Sequence, residues 1–311
     1  MRFLRKIIRI GKIFLNIKTL LKNKYKRLFS VLLILLFAVV YGVLALSYDR
    51  QDLSSESNTL TFYAIDVGQG DSFFFVLPNG ENVLIDAGPE EAGSKVVSFL
   101  RKHGVKKIDL LVATHGHSDH IGGMRKVLQN FEIGKVWDSG FNHGSSIQRN
   151  FYKTIKKKDI PFGRPKRGYS ELMGDVLFEV LAPARVVLNT KSDTNNNCLV
   201  IKITYGDISF LMTADMEREQ RSTIQPLPHA TVLKASHHGS YNGTDVKLLR
   251  EVSPSLVVLS YGKNNSYGYP HKRVVKDIRN AKIARYDTVN GTIKIETNGS
   301  DMNVFGTPVK D

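Results

Sequence analysis

The chain has one cysteine, Cys198, in 311 residues, so no intramolecular disulfide can form and no cysteine-based zinc cage is available. Any metal site must therefore use His, Asp and Glu. Acidic residues are missing from residues 1–48, which hold ten Lys and Arg. Without that arm the net charge drops from +15 to +5, so bulk charge alone does not make the rest of the chain a nucleic-acid binder. Only one long run lacks charge, which excludes a polytopic membrane protein, and a hydrophobic content of 42% excludes a wholly disordered chain. No internal repeat or long low-complexity segment is present.

The uncharged run is Leu28 to Tyr48, long enough at about 1.5 Å per residue to cross a bilayer core of roughly 30 Å. Basic residues precede it and Asp49 and Asp52 follow, so the positive-inside rule predicts a single-pass membrane protein with a cytoplasmic N-terminus. Ile7, Ile10, Phe14, Ile17 and Leu21 recur at helical spacing in the arm, which reads as an amphipathic helix on anionic lipid. The expected organisation is a basic arm (1–27), a transmembrane anchor (28–48), a polar tether (49–58) and an extracytoplasmic domain (59–311). A cleaved signal peptide ending near Ala45-Leu46-Ser47 is the alternative, and it too places the domain outside.

From Thr59 onward, short apolar runs alternate with Gly, Asn and Asp. Strands are predicted at 59–66, 72–77, 82–86 and 108–114, with helices at 93–103, 121–129 and 145–158. A second mixture follows, with strands near 176–182, 199–204, 208–213, 231–235 and 256–260, helices at 245–252 and 272–281, and strands near 283–286, 292–297 and 302–305. Two hairpin-rich halves, each followed by βα units, predict an α/β fold with two sheets face to face and helices outside.

The sharpest feature is Thr114-His115-Gly116-His117-Ser118-Asp119-His120, where four ligand-type side chains fall within six residues at a strand-to-helix junction. Imidazole and carboxylate together suit zinc, manganese or iron. This His-x-His-x-Asp-His stretch resembles the signature of the metallo-β-lactamase superfamily, and the resemblance runs over about residues 60–305. It implies an αββα sandwich and two divalent metal ions, zinc or manganese. Residue by residue, it implies His115 and His117 on one metal and Asp119, His120 and His237 on the other, with Asp215 between them and Asp86 in a supporting place.

Four ordered segments narrow the resemblance: Asp66-Val67-Gly68-Gln69-Gly70-Asp71-Ser72, Asn195-Asn196-Asn197-Cys198-Leu199-Val200, Lys234-Ala235-Ser236-His237-His238-Gly239-Ser240 and Asn265-Ser266-Tyr267-Gly268-Tyr269-Pro270-His271. Together they are similar to the metallo-β-lactamase domain of the ComEC family of DNA-uptake proteins. Three positions depart from the wider pattern. Asn197 stands roughly where the third-motif His falls, Ala214 where Gly is usual, and Tyr269 where the last motif has its first His. An Asn ligand would make the first site richer in oxygen, which predicts that manganese supports activity at least as well as zinc.

Asp119 and Asp215 are expected to hold the attacking water, Lys234 to offset charge on a phosphoryl oxygen, and His271 to protonate a leaving group or touch a phosphate. Asp66, Asp71 and His238 are expected beside the ligands, Ser240 as a hydrogen-bond donor, and His143 as a substitute for the missing ligand. Cys198 reads as a packing residue. The basic run at 153–158 with Arg164, Lys166 and Arg167 reads either as a track for a phosphate backbone or as a solvated helix face.

The leading expectation is a metal-dependent phosphodiesterase acting on DNA, anchored to lipid through residues 1–48 and without an obligate protein partner. A small-ester hydrolase, with Tyr241, Tyr267 and Tyr269 as aromatic walls, and a non-catalytic metal-dependent binding protein are the alternatives.

Overall fold

In the computed structural model, residues 58–309 are described, together with Leu32, Leu33, Leu35 and Leu36. The chain divides into two units, Met1–Ser55 and Glu56–Asp311. The four leucines are helical. The rest of the expected basic arm and membrane span, and nearly all of the tether, lies outside the described residues. Among the described residues no helix is long and apolar enough to cross a membrane.

In the second unit, an eight-stranded and a seven-stranded sheet each mix parallel and antiparallel strands. Strands from the first half build the larger sheet, and the C-terminal hairpin Ile293–Thr297/Met302–Phe305 adds beside Leu60–Ala64. Alternating burial along Leu60–Ala64 and Val176–Ala182 places every second side chain between the sheets, as period-2 patterning requires. Phe62 joins the layers, its ring 4.9 Å from Phe75 and 5.2 Å from Phe210. Two further apolar clusters seat helices on the outer faces, around Val96, Leu100 and Val127 on one side and Leu248, Val252 and Val274 on the other. This is the expected αββα sandwich.

The helix expected over 121–129 is instead two, Ser118–Ile121 and Met124–Asn130. Gly122 and Gly123 lie against neighbouring backbone between them. A Cβ on Gly123 would come within 2.2 Å of the Ala87 carbonyl oxygen, so the pair lets this turn press onto the loop that carries Asp86. Sequence patterning missed the strand Ser170–Met173, whose only buried residue is Met173. It also missed the short helix Arg218–Ser222.

Asp245 caps the helix Val246–Val252 by accepting the Leu248 N–H, and it takes two bonds from Arg221 at 2.9 and 2.7 Å. Burial works against this carboxylate, but Arg221, the Leu248 N–H and Arg218 outweigh it and hold its pKa down to about 2. Because the folded value lies below the unfolded one, the stabilisation is complete above about pH 4 and is lost as pH falls through 2. Asp245→Ala should therefore cost about 2 kcal/mol or more at pH 7, including the lost cap, with a gap that closes towards pH 2. Urea midpoints measured across pH 2–7 check this.

Candidate metal centre

The site lies at the C-terminal ends of parallel strands from both sheets, where connecting loops are free to converge. Lys107–Ala113 delivers Thr114, His115 and His117, and the turn after it carries Asp119 and His120. The strand Ile208–Met212 delivers Asp215, and Val232–Lys234 leads into the tight turn Ser236–Gly239 with His237 and His238. Asp71 ties a third loop to these, its N–H donating to the Asp119 carbonyl at 3.1 Å.

Asp215 Oδ2 is the hub. His120 Nε2 lies 3.3 Å away, His238 Nε2 3.4 Å, His237 Nε2 3.8 Å and His115 Nε2 3.9 Å. His115 Nε2 is also 3.1 Å from His117 Nδ1, and Asp119 Oδ2 is 3.3 Å from His238 Nε2. His115, His120 and Asp215 form one cluster of donor atoms, and Asp119, His120 and His238 form another.

The outer nitrogens are pinned. His120 Nδ1 lies 2.7 Å from Asp86 Oδ2, and Asp86 is itself held by the Thr114 N–H and hydroxyl. His238 Nδ1 donates to the Ser260 carbonyl at 2.9 Å. His120 Nε2 and His238 Nε2 are then left buried with no hydrogen bond, facing carboxylates. Imidazoles with Nδ1 fixed and Nε2 pointing into a carboxylate cluster fit a divalent metal site.

Without a cation the carboxylates are balanced by protons on His120 and His238, which a bound metal would displace. Burial disfavours charge on His120 and His238, yet Asp215 and the neighbouring acids outweigh it and hold both well above the ordinary imidazole value. Asp215 is held well below the carboxylate range, since His238 and His120 overcome its burial. His117, pulled down by burial to about 4, is neutral at ordinary pH, as a ligand must be.

Several expected site residues sit elsewhere. His237 and His238 both adopt left-handed backbone angles, and it is His238 that turns inward. His237 instead stands at the cleft wall, with Nδ1 3.2 Å from Glu217 and Nε2 3.2 Å from the Tyr269 hydroxyl. Asn197 turns away from the metal centre. Its side chain accepts the Val187 N–H and donates to the carbonyls of Val187 and Asp193, closing a loop. Asn195 reaches the cleft in its place, its Nδ2 3.3 Å from Glu217 and its Oδ1 buried without a partner.

Lys234 is fully buried, 2.6 Å from both Asp71 Oδ2 and the Ala214 carbonyl, so it holds the loops together and does not face a substrate. Asp66 pairs with exposed Lys95 and caps the Gly68 N–H, away from the ligands. His271 lies behind Tyr269 and accepts the Tyr241 N–H, outside the cleft lining. Ser240 is buried, accepts the Asn242 N–H and meets the Tyr269 hydroxyl. His143 stands at the cleft beside His117, ring centroids 4.8 Å apart, with Nδ1 3.0 Å from the Thr194 hydroxyl. Cys198 is buried. Glu217 went unnoticed in the sequence, since a single acid two residues after Asp215 carries no signal of its own.

The cleft has a volume of about 320 Å³, and His117, Asp119, His143, His237, Tyr267 and Tyr269 are among its lining residues. The profile of the Metallo-beta-lactamase superfamily matches residues 65–263, which span Asp86, the histidine cluster, Asp215 and the His pair. This chain belongs to the metallo-β-lactamase superfamily. It carries that superfamily's metal-dependent hydrolase fold, and its ordered motifs are ComEC-like.

It is 31% identical over 253 residues to ComE operon protein 3 of Bacillus subtilis, an alignment covering 74% of this chain and 32% of that protein. It is 27% identical over 239 residues to Recombination protein 2 of Haemophilus influenzae, covering 74% and 28%. It is 29% identical over 230 residues to Competence protein ComA of Neisseria gonorrhoeae, covering 71% and 30%. The chain thus spans about a third of the length of these relatives. Among solved structures, the metallo-beta-lactamase fold protein YhfI from Bacillus subtilis superposes with a TM-score of 0.51 at 14% identity, covering 73% of this chain and 95% of YhfI. That likeness concerns the fold alone.

Proposed function

We propose that this protein is a membrane-anchored, extracytoplasmic phosphodiesterase that cleaves DNA, with two divalent cations held around Asp215. The observation that carries the reading is the convergence of His115, His120, His238 and Asp119 on Asp215, together with buried imidazole nitrogens that have no hydrogen bond. His117, 3.1 Å from His115, completes the first set. DNA as substrate draws support from the competence and recombination proteins among the relatives, and the anchor from the uncharged run at 28–48.

Bound cations would supply Lewis acidity and lower the pKa of a water. Within the chain, Asp119 is only partly buried and faces the cleft, where it and Asp215 can orient that water. Hydrolysis forms one P–O bond from the water and breaks one P–O ester bond, and the released hydroxyl takes up a proton. His237 and Tyr269, in contact on the cleft wall, are polar groups able to supply that proton. A small-ester substrate is the second reading, favoured by the stacked Tyr267 and Tyr269 rings, 5.5 Å apart, at the cleft.

The test incubates detergent-solubilised full chain with end-labelled single- and double-stranded DNA and manganese or zinc. Cleavage should vanish with a chelator and fall by about 10²–10³ in Asp119→Asn. DNA left intact by metal-loaded protein that hydrolyses small phosphodiesters would select the second reading.

A further inference from the structure

A second pocket of about 270 Å³ lies beside the metal cleft, walled by Arg164, Lys166 and Arg185 and by Gly140, Phe141 and Pro183. Two separate segments show how near it is. Asn142 lines this pocket while the adjacent His143 lines the cleft, and Asn197 lines it while Asn195 lines the cleft. One turn of loop on each side separates the two spaces.

We infer that this basic pocket is a subsite for a second phosphate, the one next to the phosphodiester being cleaved on a nucleic-acid strand. The inference rests on the phosphodiesterase reading above. Arginine presents a planar fork that matches phosphate oxygens, and Lys166 adds a point charge. Among the described residues, no carboxylate pairs with Arg164, Lys166 or Arg185. Asp138, whose field Arg164 feels, is buried and already accepts the Gly140 N–H and the Tyr152 hydroxyl.

Arg164 is also set in place before any ligand arrives. Its guanidinium lies 5.4 Å from the Phe162 ring centroid and 6.0 Å from that of Tyr152. Its stem packs on Gly140, where a Cβ would come within 3.1 Å of the Arg164 Cδ. Arg164, Lys166 and Arg185 are themselves exposed, at the pocket wall, and the other cations of the sequence run lie outside that lining. Lys153, Lys156 and Lys157 are exposed on the helix Ser146–Lys157, and Arg167 donates to the Thr223 carbonyl. The run is therefore a solvated helix face followed by a built pocket. Phe141 and Pro183 supply apolar surface for the sugar or base between the two phosphates.

The test uses the full chain in detergent, a fluorescein-labelled 12-nucleotide single strand, and bis(p-nitrophenyl) phosphate as a substrate too short to span both sites. Arg164→Ala/Lys166→Ala/Arg185→Ala removes the charge, and Lys166→Glu/Arg185→Glu reverses it while keeping the Arg164 stack. Anisotropy titrations should show Kd for the strand raised at least tenfold. In the triple variant the slope of log affinity against log salt should be shallower by about 0.7, the value for the loss of one phosphate contact on a single strand. The kcat/KM ratio of strand to short substrate should fall tenfold or more.

Strand affinity and that ratio both within twofold of the parent, in two variants that melt like the parent, would overturn the subsite. A parent that binds the strand in a salt-dependent way lost in the variants, yet cleaves neither substrate, would keep the subsite and overturn the phosphodiesterase. A parent that neither binds nor cleaves would overturn both.

Discussion

His238→Ala should remove about one metal ion per chain and lower turnover on the order of 10³-fold, whereas His237→Ala should keep both ions and lose about tenfold. The two residues are neighbours in one turn with nearly the same backbone angles, so composition cannot separate them. Their hydrogen bonds do. The Ser260 carbonyl fixes His238 Nδ1 and aims Nε2 between Asp119 and Asp215, as Asp86 does for His120. His237 Nε2, the nitrogen on the Asp215 side, is engaged on the wall by Tyr269 and Asn195, while Nδ1 lies 3.2 Å from the Glu217 carboxylate without a hydrogen bond. Elemental analysis of the purified variants, alongside initial rates, decides the matter. Metal lost from His237→Ala but retained in His238→Ala would reverse the assignment.

The second large effect is on stability. Lys234→Met should destabilise the fold by about 3–5 kcal/mol, the usual cost of stripping one partner from a buried ion pair. Burial acts against the charge on Lys234, but Asp71 and Asp215 more than compensate and raise its pKa. Asp71 is equally buried and depends on that ammonium, with His238 and His120, to stay ionised. Removing Lys234 strands a carboxylate in the interior and frees the Ala214 carbonyl from its bond. Chemical denaturation followed by tryptophan fluorescence would report it, since Trp137 is the single tryptophan and is buried. A shift under 1 kcal/mol would mean that neither group depends on the other.

The contrast between these residues explains what was legible in the sequence. His115, His117, Asp119 and His120 lie on one strand-to-helix turn, so local order nearly determines their geometry. The sheets were legible for the same reason, Leu60–Ala64 and Val176–Ala182 by alternation and Ile208–Met212 and Leu256–Leu259 as continuous apolar runs buried on both faces. Ser170–Met173 escaped because an exposed edge strand buries only Met173 and so has no alternation to read. The Asn triplet misled because a tight turn sends consecutive side chains in different directions, Asn195 into the cleft and Asn197 back onto its loop. Lys234 reads as a cation for a phosphoryl oxygen until Asp71, from a distant loop, closes over it.

That closure has a consequence for how the chain matures. The Ser260 hydroxyl bonds to the Gly70 carbonyl across 190 residues, and the same Ser260 supplies the carbonyl that steadies His238. Asp71, next to Gly70, meets Lys234 from the other half. Every one of these pairings is long-range, so loop-closure entropy opposes them until both sheets have met. A nascent chain stopped before Ser260 would carry the whole His-x-His-x-Asp-His sequence and still have no cleft. A chain ending before Ser260 therefore holds every residue of the signature but lacks the carbonyl that fixes His238 Nδ1 and the hydroxyl that ties down the Gly70 loop.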